Sequence, residues 1–284
     1  MPRFRCDFAY DGRNFHGWAR QPGLRTVQEE LERALCTVLR VEELPLTVAG
    51  RTDAGVHATG AVCHGDVPEG AWAAAPGRSD RPPAEALVAR LAGVLPADVV
   101  VHRVTEVAPE FDARFAALRR HYRYLLWDRV DDVDPRLRGM VVRHRRRLDV
   151  EAMDAAARRL EGLHDFAAFC KPREGATTVR TLERFRWARR PDGTVETVVV
   201  ADAFCHSMVR SLVGGVVPVG EGRRSVDWPV QVLSGAERIG AVQVMPAHGL
   251  TLERVDYPDP SAWAARQQEA RATRGPVEER HPGV

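Results

Sequence analysis

The sequence predicts an α+β protein made of two halves with similar plans, each with strands and helices in turn. Residues 3–10 alternate polar and apolar side chains, which is typical of a half-buried strand. The apolar side chains that share one face of this stretch are Phe4, Cys6, Phe8 and Tyr10. A helix follows, and a similar order of elements begins again near Phe111. Together these observations indicate a pseudo-duplicated sheet with accompanying helices.

The first half is predicted to contain two helices beside its strands. A helix begins at Thr26, because Glu29 completes a capping box with it and a regular apolar stripe follows. The stretches LPLTVAG and GAVCHGDV are typical of strands. Residues 68–83 are rich in proline, glycine and serine, which predicts a loop. A helix over roughly 84–94 and the strand VVVHRV complete this half.

The second half is predicted to begin with the strand RRHYRYLLW. Asp149 is expected to cap a helix that runs to about Leu160, and two strands joined by a Pro-Asp-Gly turn come next. The stretch HSMVRSLVGGVVPVG predicts a helix with an apolar face. A shorter helix near 229–239 and a last strand at 250–255 end the half.

The end of the chain differs in composition from the rest. Residues 257–284 are polar, rich in proline and without hydrophobic periodicity, which predicts a disordered tail. We therefore divide the chain into an N-terminal half over residues 1–108, a C-terminal half over 109–256 and the tail. The first half would carry the catalytic loop described below, and the second half would complete the site.

The composition is that of an ordinary globular protein. Hydrophobic residues make up 44% of the chain and charged residues 28%, and the formal net charge is +2. No stretch approaches the about 20 apolar residues of a membrane span. The N-terminus alternates like a strand and does not resemble a signal peptide. We therefore expect no association with a membrane.

The cysteines and histidines show no pattern of metal ligands. The five cysteines are odd in number, scattered and without a C-x-x-C pair, which indicates a reducing cytoplasm and argues against a structural zinc site. The spacing of the histidines matches no H-E-x-x-H motif, and no glycine-rich stretch has phosphate-loop or dinucleotide spacing. The histidines in question are His57, His64, His206 and His248. We expect neither a metal nor another cofactor.

The stretch AGRTDAGVHATG, residues 49–60, allows two interpretations of Asp53. A Thr-Asp-Ala-Gly segment is often a simple turn in which the carboxylate accepts backbone N–H groups. On an extended backbone, however, Arg51 would lie on the same side as Asp53 and keep its carboxylate ionised. Gly50 and Gly55 would let a ligand or another backbone come close. An ionised, oriented aspartate suits a nucleophile or a general base.

The strand in RFAALRRHYRYLLW combines basic and aromatic residues. Arg120 and Tyr122 share one face with Tyr124 and Leu126, while Arg123 and its neighbour His121 point the other way. Such a face is typical of RNA-binding sheets, in which cations contact phosphates and rings stack on bases. An exposed strand face with a core tyrosine explains the pattern equally well.

A single arginine and a basic run also allow two interpretations. Arg210 lies in the predicted helix before Gly214 and Gly215, where it could be buried against a carboxylate or face the solvent. The run RHRRR at 143–147 suits either a phosphate contact or a solvated surface. Neither feature alone decides between a site and a surface.

Six stretches together resemble the bacterial tRNA pseudouridine synthase A family. Their order along the chain is that of the family, they span residues 3–258 with the strands between them, and the Arg-Thr-Asp-Ala-Gly-Val-His string is the most specific. The stretches are YDGRNFHGWARQ (10–21), TVQEELERAL (26–35), AGRTDAGVHATG (49–60), FDARFAALRRHYRYLL (111–126), FCHSMVRSLVG (204–214) and HGLTLERVDYP (248–258).

This resemblance implies a fold and an activity. The fold would be that of the pseudouridine synthases, a mixed and mainly antiparallel sheet with helices packed on one face. The activity would be the isomerisation of uridine to pseudouridine at positions 38, 39 and 40 of the tRNA anticodon stem-loop. The family resemblance further implies no metal or organic cofactor, and a homodimer whose basic clefts hold tRNA.

The resemblance also implies roles for single residues. Asp53 would be the nucleophile that attacks the flipped uridine, and Arg51 would assist flipping and hold the phosphate or the aspartate. Tyr122 would stack on the target base, Arg210 would pair with Asp53, and Leu250 would line the pocket. With the basic-aromatic strand, Arg120 and Arg123 are expected to bind the substrate. A base whose glycosidic bond must break cannot react inside a stack, so base flipping is required.

Two other classes of function remain open from the sequence. A non-catalytic tRNA-binding or folding protein on the same scaffold would bind anticodon stem-loops with strong salt dependence but leave uridine unchanged. A metal hydrolase would use Asp53 with the histidines and would be stopped by a chelator.

Overall fold

The computed structural model describes residues 1–131, 133–172, 177–235 and 242–271. They form two compact units. Unit 1 contains Met1–Arg120 together with Thr251–Arg271, and unit 2 contains His121–Leu250. The predicted division placed residues 109–256 together in the C-terminal half. The observed division differs from it because the last described strand pairs within unit 1. Among the described residues, no helix is long and apolar enough to cross a membrane.

Strands and helices are numbered in chain order. The strands are β1 (Arg3–Tyr10), β2 (Thr47–Val48), β3 (His57–Asp66), β4 (Val99–Val107), β5 (Arg119–Trp127), β6 (Val142–Arg143), β7 (Gly162–Asp165), β8 (Val179–Arg189), β9 (Val195–Ala201) and β10 (Leu250–Asp256). The α-helices are α1 (Val27–Leu39), α2 (Glu69–Ala74), α3 (Pro83–Ala92), α4 (Val150–Arg158), α5 (Met208–Gly220), α6 (Trp228–Leu233) and α7 (Trp263–Arg271).

The sheet of unit 1 is mixed and mainly antiparallel. Its strand order is β4, β1, β3, β10, and the short β2 also pairs with β3. β1 runs antiparallel to both β3 and β4, whereas β10 runs parallel to β3, with Thr251 opposite His57. The alternation predicted for β1 is confirmed, since Phe4, Cys6 and Phe8 are fully buried.

The helices of unit 1 follow the predicted apolar stripes, with two corrections. α1 begins after Thr26 as predicted, but the Thr26 hydroxyl makes no capping hydrogen bond and is buried without a partner. The capping box is therefore wrong in its side-chain bonds, although the start of the helix is confirmed. The predicted loop over 68–83 contains α2, whose Trp72 side chain is buried and donates from Nε1 to Glu106.

The sheet of unit 2 is also mixed and mainly antiparallel. Its order is β5, β9, β8, β7, and β6 runs parallel to β5. β8 and β9 are joined by the predicted turn and run antiparallel. α4 packs on β8 and on α5, and its N-terminus is capped by Asp149, which accepts from the Ala152 N–H at 3.0 Å as predicted. Each unit thus combines paired strands with helices, as the predicted α+β class requires.

A buried carboxylate ties β5 to β8 in unit 2. The Asp128 side chain is fully buried and accepts two hydrogen bonds of 2.7 Å from the Arg189 guanidinium and one of 2.8 Å from the Leu148 N–H. Burial alone would raise the pKa of Asp128, but these hydrogen bonds outweigh it and the pKa is lowered. The carboxylate is therefore held in its charged form.

The prediction of a disordered tail is wrong for its first part. Residues Pro260–Ala262 form a 3₁₀ turn and α7 follows directly, while 272–284 lie outside the described residues. The Trp263 ring of α7 packs edge-on against Phe111, with 4.9 Å between ring centroids. An aromatic anchor thus orders a segment whose composition alone suggested disorder.

Candidate functional site

Asp53 lies in a tight turn between β2 and β3 of unit 1. The Val56 N–H donates to the Asp53 carbonyl at 3.2 Å, and Gly55 adopts a left-handed backbone with φ of +81°. Along this turn Arg51 is exposed, Thr52 is buried and Asp53 is half-buried. The turn therefore presents the carboxylate and the guanidinium on a backbone whose centre is anchored.

The loop after β1 forms the support of this turn. The Trp18 N–H donates to the Thr52 carbonyl at 3.1 Å, and the Gly55 N–H donates to the Phe15 carbonyl at 3.2 Å. The Tyr10 and Thr52 hydroxyls share a buried hydrogen bond of 2.7 Å. Residues on both sides of Asp53 are thus bonded to one neighbouring segment, which limits the positions that the carboxylate can take.

Two glycines allow this close approach of backbones. Gly17 has φ of +88°, and a Cβ atom there would stand 2.7 Å from the Thr52 carbonyl oxygen and 3.2 Å from the Asp53 carbonyl carbon. A Cβ atom at Gly12 would overlap the Val56 carbonyl. The YDGRNFHGW stretch therefore needs glycine at these positions because the Asp53 turn packs directly on it.

His57 helps to join the same two segments. Its ring is buried at the start of β3, and its Nδ1 atom accepts a 3.1 Å hydrogen bond from the Gly12 N–H. The Asp11 carboxylate lies 3.2 Å from Nδ1. The His57 ring thus contacts two residues of the loop after β1.

Arg120 is buried, and its guanidinium is directed at carbonyl groups of unit 1. Its Nη2 atom donates to the Ala49 carbonyl at 2.8 Å and to the Arg114 carbonyl at 2.7 Å. Ala49 opens the AGRTDAGVHATG stretch, so these bonds tie the Asp53 loop to the segment before β5. This geometry makes Arg120 a support of the loop, whereas the sequence suggested an RNA contact.

The segment before β5 is in turn held by a histidine and by the C-terminal residues. The Ala113 N–H donates to His64 Nδ1 at 3.0 Å, and the Tyr257 hydroxyl donates to the Ala113 carbonyl at 2.7 Å. The Leu118 N–H donates to the Asp256 carbonyl at 2.8 Å. Burial lowers the pKa of His64, which keeps its ring neutral.

Tyr122 lies on β5 in unit 2 and is 7% exposed. Its ring meets that of Phe204 edge-to-face, with 5.1 Å between centroids and 89° between planes. Phe204 is half-buried. This geometry fixes the ring plane of Tyr122 and adds Phe204 to the candidate residues, although no sequence signal joins the two positions.

The neighbours of Tyr122 on β5 favour the second of the two interpretations of this strand, in which one tyrosine belongs to the core. Arg123 approaches Glu196 of β9 to 3.7 Å. Tyr124 is fully buried, its hydroxyl donates to the Pro246 carbonyl at 2.8 Å, and burial raises its pKa. The predicted alternation is confirmed, but the Tyr124 face belongs to the core of unit 2.

Arg210 lies near the start of α5, half-buried, and is tied to the segment before β10. Its Nε atom donates to the Met245 carbonyl at 2.6 Å, and the Met245 N–H donates to the Arg210 carbonyl at 3.3 Å. A Cβ atom at Gly214 would overlap the Gln243 carbonyl, so this segment packs closely on the helix. The arginine predicted to be buried or solvent-facing is therefore partly anchored by a backbone carbonyl.

Leu250 follows a 3₁₀ turn, Ala247–Gly249, and is 5% exposed. The preceding Gly249 packs on the Tyr124 ring, where a Cβ atom would stand 2.7 Å from Cζ. Burial lowers the pKa of His248 in this turn. Seven predicted site residues are thus distributed between the units, with Arg51, Asp53 and Arg120 in unit 1 and Tyr122, Arg123, Arg210 and Leu250 in unit 2.

Comparison with known proteins identifies the family. A family model described as tRNA pseudouridine synthase matches residues 156–258. A tRNA pseudouridine synthase A from Streptomyces griseus is 52% identical over 274 residues, which are 96% of this chain and 94% of that protein. The chain belongs to the tRNA pseudouridine synthase A family. A relative of the same name from Streptomyces avermitilis is 53% identical over 275 residues, with the same two coverages.

Membership of the tRNA pseudouridine synthase A family makes the chain an enzyme that isomerises uridine in tRNA. The non-catalytic and hydrolase alternatives are therefore set aside. The archaeal box H/ACA sRNP Nop10-Cbf5 complex aligns with a TM-score of 0.32 and 12% identity over 75% of this chain and 44% of that chain. These values are too low to support a comparison of details.

Proposed function

We propose that this tRNA pseudouridine synthase acts on positions 38, 39 and 40 of the anticodon stem-loop, with Asp53 as its nucleophile. The observation that carries the assignment of Asp53 is the turn itself. Its half-buried carboxylate belongs to a backbone bonded on both sides to the loop after β1. A catalytic group held in this way loses little freedom when the substrate binds.

The chemistry requires few polar groups. The C–N glycosidic bond of a flipped uridine breaks, the uracil turns, and a C–C bond forms at C5, which then loses its proton. An ionised aspartate can trap or stabilise the electron-poor intermediate. In this proposal Arg51, which is exposed, assists flipping and contacts a phosphate.

Two residues of unit 2 are proposed to bind the uracil. Tyr122 supplies a ring whose plane is fixed by Phe204, and Leu250 supplies an apolar wall. A ring and an apolar wall let the free uracil turn without tight polar bonds. Arg123 is proposed to contact substrate from the same strand as Tyr122, and the pairing of Arg210 with Asp53 stays a prediction.

The proposal extends to assembly and compartment. A homodimer that holds tRNA in basic clefts, the absence of a metal or organic cofactor, and a cytoplasmic location all follow from the family resemblance and from the tRNA substrate. Light scattering measures the mass of the assembly, and activity after treatment with a chelator tests the requirement for a metal.

The nucleophile is tested with Asp53→Asn and with Asp80→Asn, an exposed carboxylate of unit 1, as matched control. Substrates are anticodon stem-loops labelled with tritium at C5 of a single uridine, at position 38, 39 or 40. We expect Asp53→Asn to release no tritium while it binds the stem-loop, and Asp80→Asn to act like the wild type. Full tritium release by Asp53→Asn would remove Asp53 from this role.

The stacking role of Tyr122 is tested by two substitutions. Tyr122→Phe keeps the ring and removes the hydroxyl, whereas Tyr122→Leu removes the ring. A stacking role predicts that the phenylalanine variant retains more tritium release than the leucine variant. Equal loss in both variants would assign the function to the hydroxyl instead.

A further inference from the structure

Unit 2 contains a cysteine pair that the reaction does not use. Cys170 and Cys205 are joined by a disulfide, with 5.7 Å between Cα atoms and a sequence separation of 35 residues. This Cα separation lies in the range found in protein disulfides. The cysteines are scattered in the sequence, and their spacing does not indicate this pair. The other three, Cys6, Cys36 and Cys63, carry free thiols.

Both cysteines of the pair can be reached by a small reagent, since each is half-buried, whereas Cys6 and Cys63 are buried on neighbouring strands. A cytoplasmic disulfide is usually transient and serves catalysis or redox sensing. A partly exposed pair is also the kind that exchanges readily with small disulfides. Accessibility and pairing together therefore distinguish this pair from a permanent cross-link in the core.

The cross-link holds the segment that carries residues of the candidate site. Cys205 directly follows Phe204, whose ring contacts Tyr122, and it precedes the first turn of α5, which carries Arg210. Ser207, which lies between Cys205 and α5, has a left-handed backbone with φ of +62°. On the other side, Cys170 follows the 3₁₀ turn Ala167–Phe169.

Two backbone hydrogen bonds lie directly beside the disulfide. The Lys171 N–H donates to the His206 carbonyl at 3.0 Å, and the Met208 N–H donates to the Cys205 carbonyl at 3.1 Å. A left-handed backbone at a serine has a conformational cost that the surroundings must offset. A covalent bond one residue away from Phe204 and two from Ser207 is well placed to do this.

We propose that Cys170 and Cys205 form a reversible disulfide that orders residues 203–211 and thereby sets the placement of Phe204 and Arg210. The oxidant is a low-molecular-weight disulfide, RSSR. One cysteine thiolate attacks RSSR and forms a mixed disulfide, and the thiolate that leaves takes up the proton lost by the cysteine. The second cysteine attacks the mixed disulfide and releases the second RSH, so two protein thiols are oxidised and one RSSR is reduced.

The pair can be followed without any assay of activity. The full chain is equilibrated with mixtures of oxidised and reduced glutathione, then denatured in an alkylating reagent and mapped by mass spectrometry. We expect all five cysteines to be alkylated in the mixture that contains the most reduced glutathione. In the mixture that contains the most oxidised glutathione, only Cys6, Cys36 and Cys63 should be alkylated. Five alkylated cysteines in every mixture, or a bond that persists under full reduction, would overturn the reversible disulfide.

The ordering effect is measured by hydrogen exchange. Amides of 203–211 should exchange more slowly in the oxidised chain than in the reduced chain, because the cross-link restricts local opening. Cys170→Ser and Cys205→Ser should each exchange like the reduced wild type in all mixtures, and Cys36→Ser should keep the redox dependence. Equal exchange in oxidised and reduced wild type would refute the ordering role.

The consequence for catalysis rests on the proposed function. Reduced enzyme should release tritium from the labelled stem-loop at least about threefold more slowly than oxidised enzyme, since looser placement of site residues lowers the rate. Equal rates would overturn the link to the site. No release in either state would count against the proposed function alone, because the thiol map and the exchange rates are independent of it.

Discussion

The glycine at position 17 offers the sharpest test of how the Asp53 loop is held. Gly17→Ala adds one methyl group at a backbone with φ of +88°, facing the Thr52 carbonyl at 2.7 Å. Gly23→Ala is the matched control, because Gly23 also has a positive φ of +71° but no atom within 4 Å of the added carbon. The two variants share the conformational cost and differ in the clash.

The magnitude follows from these distances. An alanine in a left-handed conformation costs about 1–2 kcal/mol, so both variants should lose this amount of stability, and Gly17→Ala should lose more because of its clash. Only at position 17 must a neighbour also move, by about 0.7 Å, for the contact to reach the about 3.4 Å of ordinary packing. Since the Asp53 carbonyl carbon lies at 3.2 Å from the same methyl, the catalytic loop takes up the shift.

A displacement of this size should affect the rate more than the fold. A misplacement near 1 Å can reduce a rate about 100-fold, so we expect Gly17→Ala to lose about 30- to 100-fold in kcat/KM. This loss corresponds to about 2–2.7 kcal/mol of transition-state stabilisation. Gly23→Ala should stay close to the wild type in kcat/KM.

The assay is tritium release from C5-labelled anticodon stem-loop, combined with thermal unfolding of each variant. A Gly17→Ala variant that is still folded at the assay temperature but has lost activity, beside an active Gly23→Ala, would confirm that the loop after β1 positions the Asp53 turn. Equal activity in the two variants would refute this reasoning, because it would mean that the turn adapts to the added methyl without consequence.

Three further predictions concern stability and pH. Thr52→Val removes a buried hydroxyl that is hydrogen-bonded to a tyrosine, and should destabilise the protein by about 1–2 kcal/mol in a denaturant titration. The pKa of His64 is lowered by burial, so its contribution to stability is present at neutral pH and is lost as the pH falls through the ordinary value near 6.5. His64→Gln should therefore flatten the decline in melting temperature from about pH 7.5 to about pH 5.5, whereas the exposed control His102→Gln should leave it unchanged. Asp128→Asn leaves an arginine without its buried partner and should cost about 3 kcal/mol. Asp134→Asn should cost much less, because its partner Arg136 is exposed, and equal unfolding midpoints for the two variants would contradict the buried pair.

Elements with strong hydrophobic periodicity could be predicted from the sequence. The alternation in β1, the apolar stripe of α1 and the cap at Asp149 all depend on residues within one element, so the local pattern contains the information. The lack of a capping hydrogen bond from the Thr26 hydroxyl could not be predicted in this way, because such a bond depends on local backbone geometry. The order of 260–271 likewise depends on Trp263 meeting an aromatic ring about 150 positions earlier in the chain.

The candidate site likewise contains residues that the sequence pattern indicates and residues that it does not indicate. Asp53 could be singled out because an unusual set of residues is concentrated in one turn, and glycines nearby signal close packing. The disulfide between Cys170 and Cys205 has no signal in their spacing, since the contact is created by the fold. Phe204 was missed for the same reason, because only the structure places its ring against that of Tyr122.

Arg120 shows why a basic residue beside a tyrosine is weak support for an RNA contact. The period of a strand determines on which side a side chain lies, but not whether that side faces solvent or protein. A guanidinium satisfies backbone carbonyls as readily as it binds phosphates, and here it binds the carbonyls of Ala49 and Arg114. Loss of Arg120 would therefore release the loop of Asp53 from its support, so an inactive Arg120 variant would be no demonstration of RNA binding. Only a variant that binds tRNA more weakly while keeping the fold of unit 1 would be.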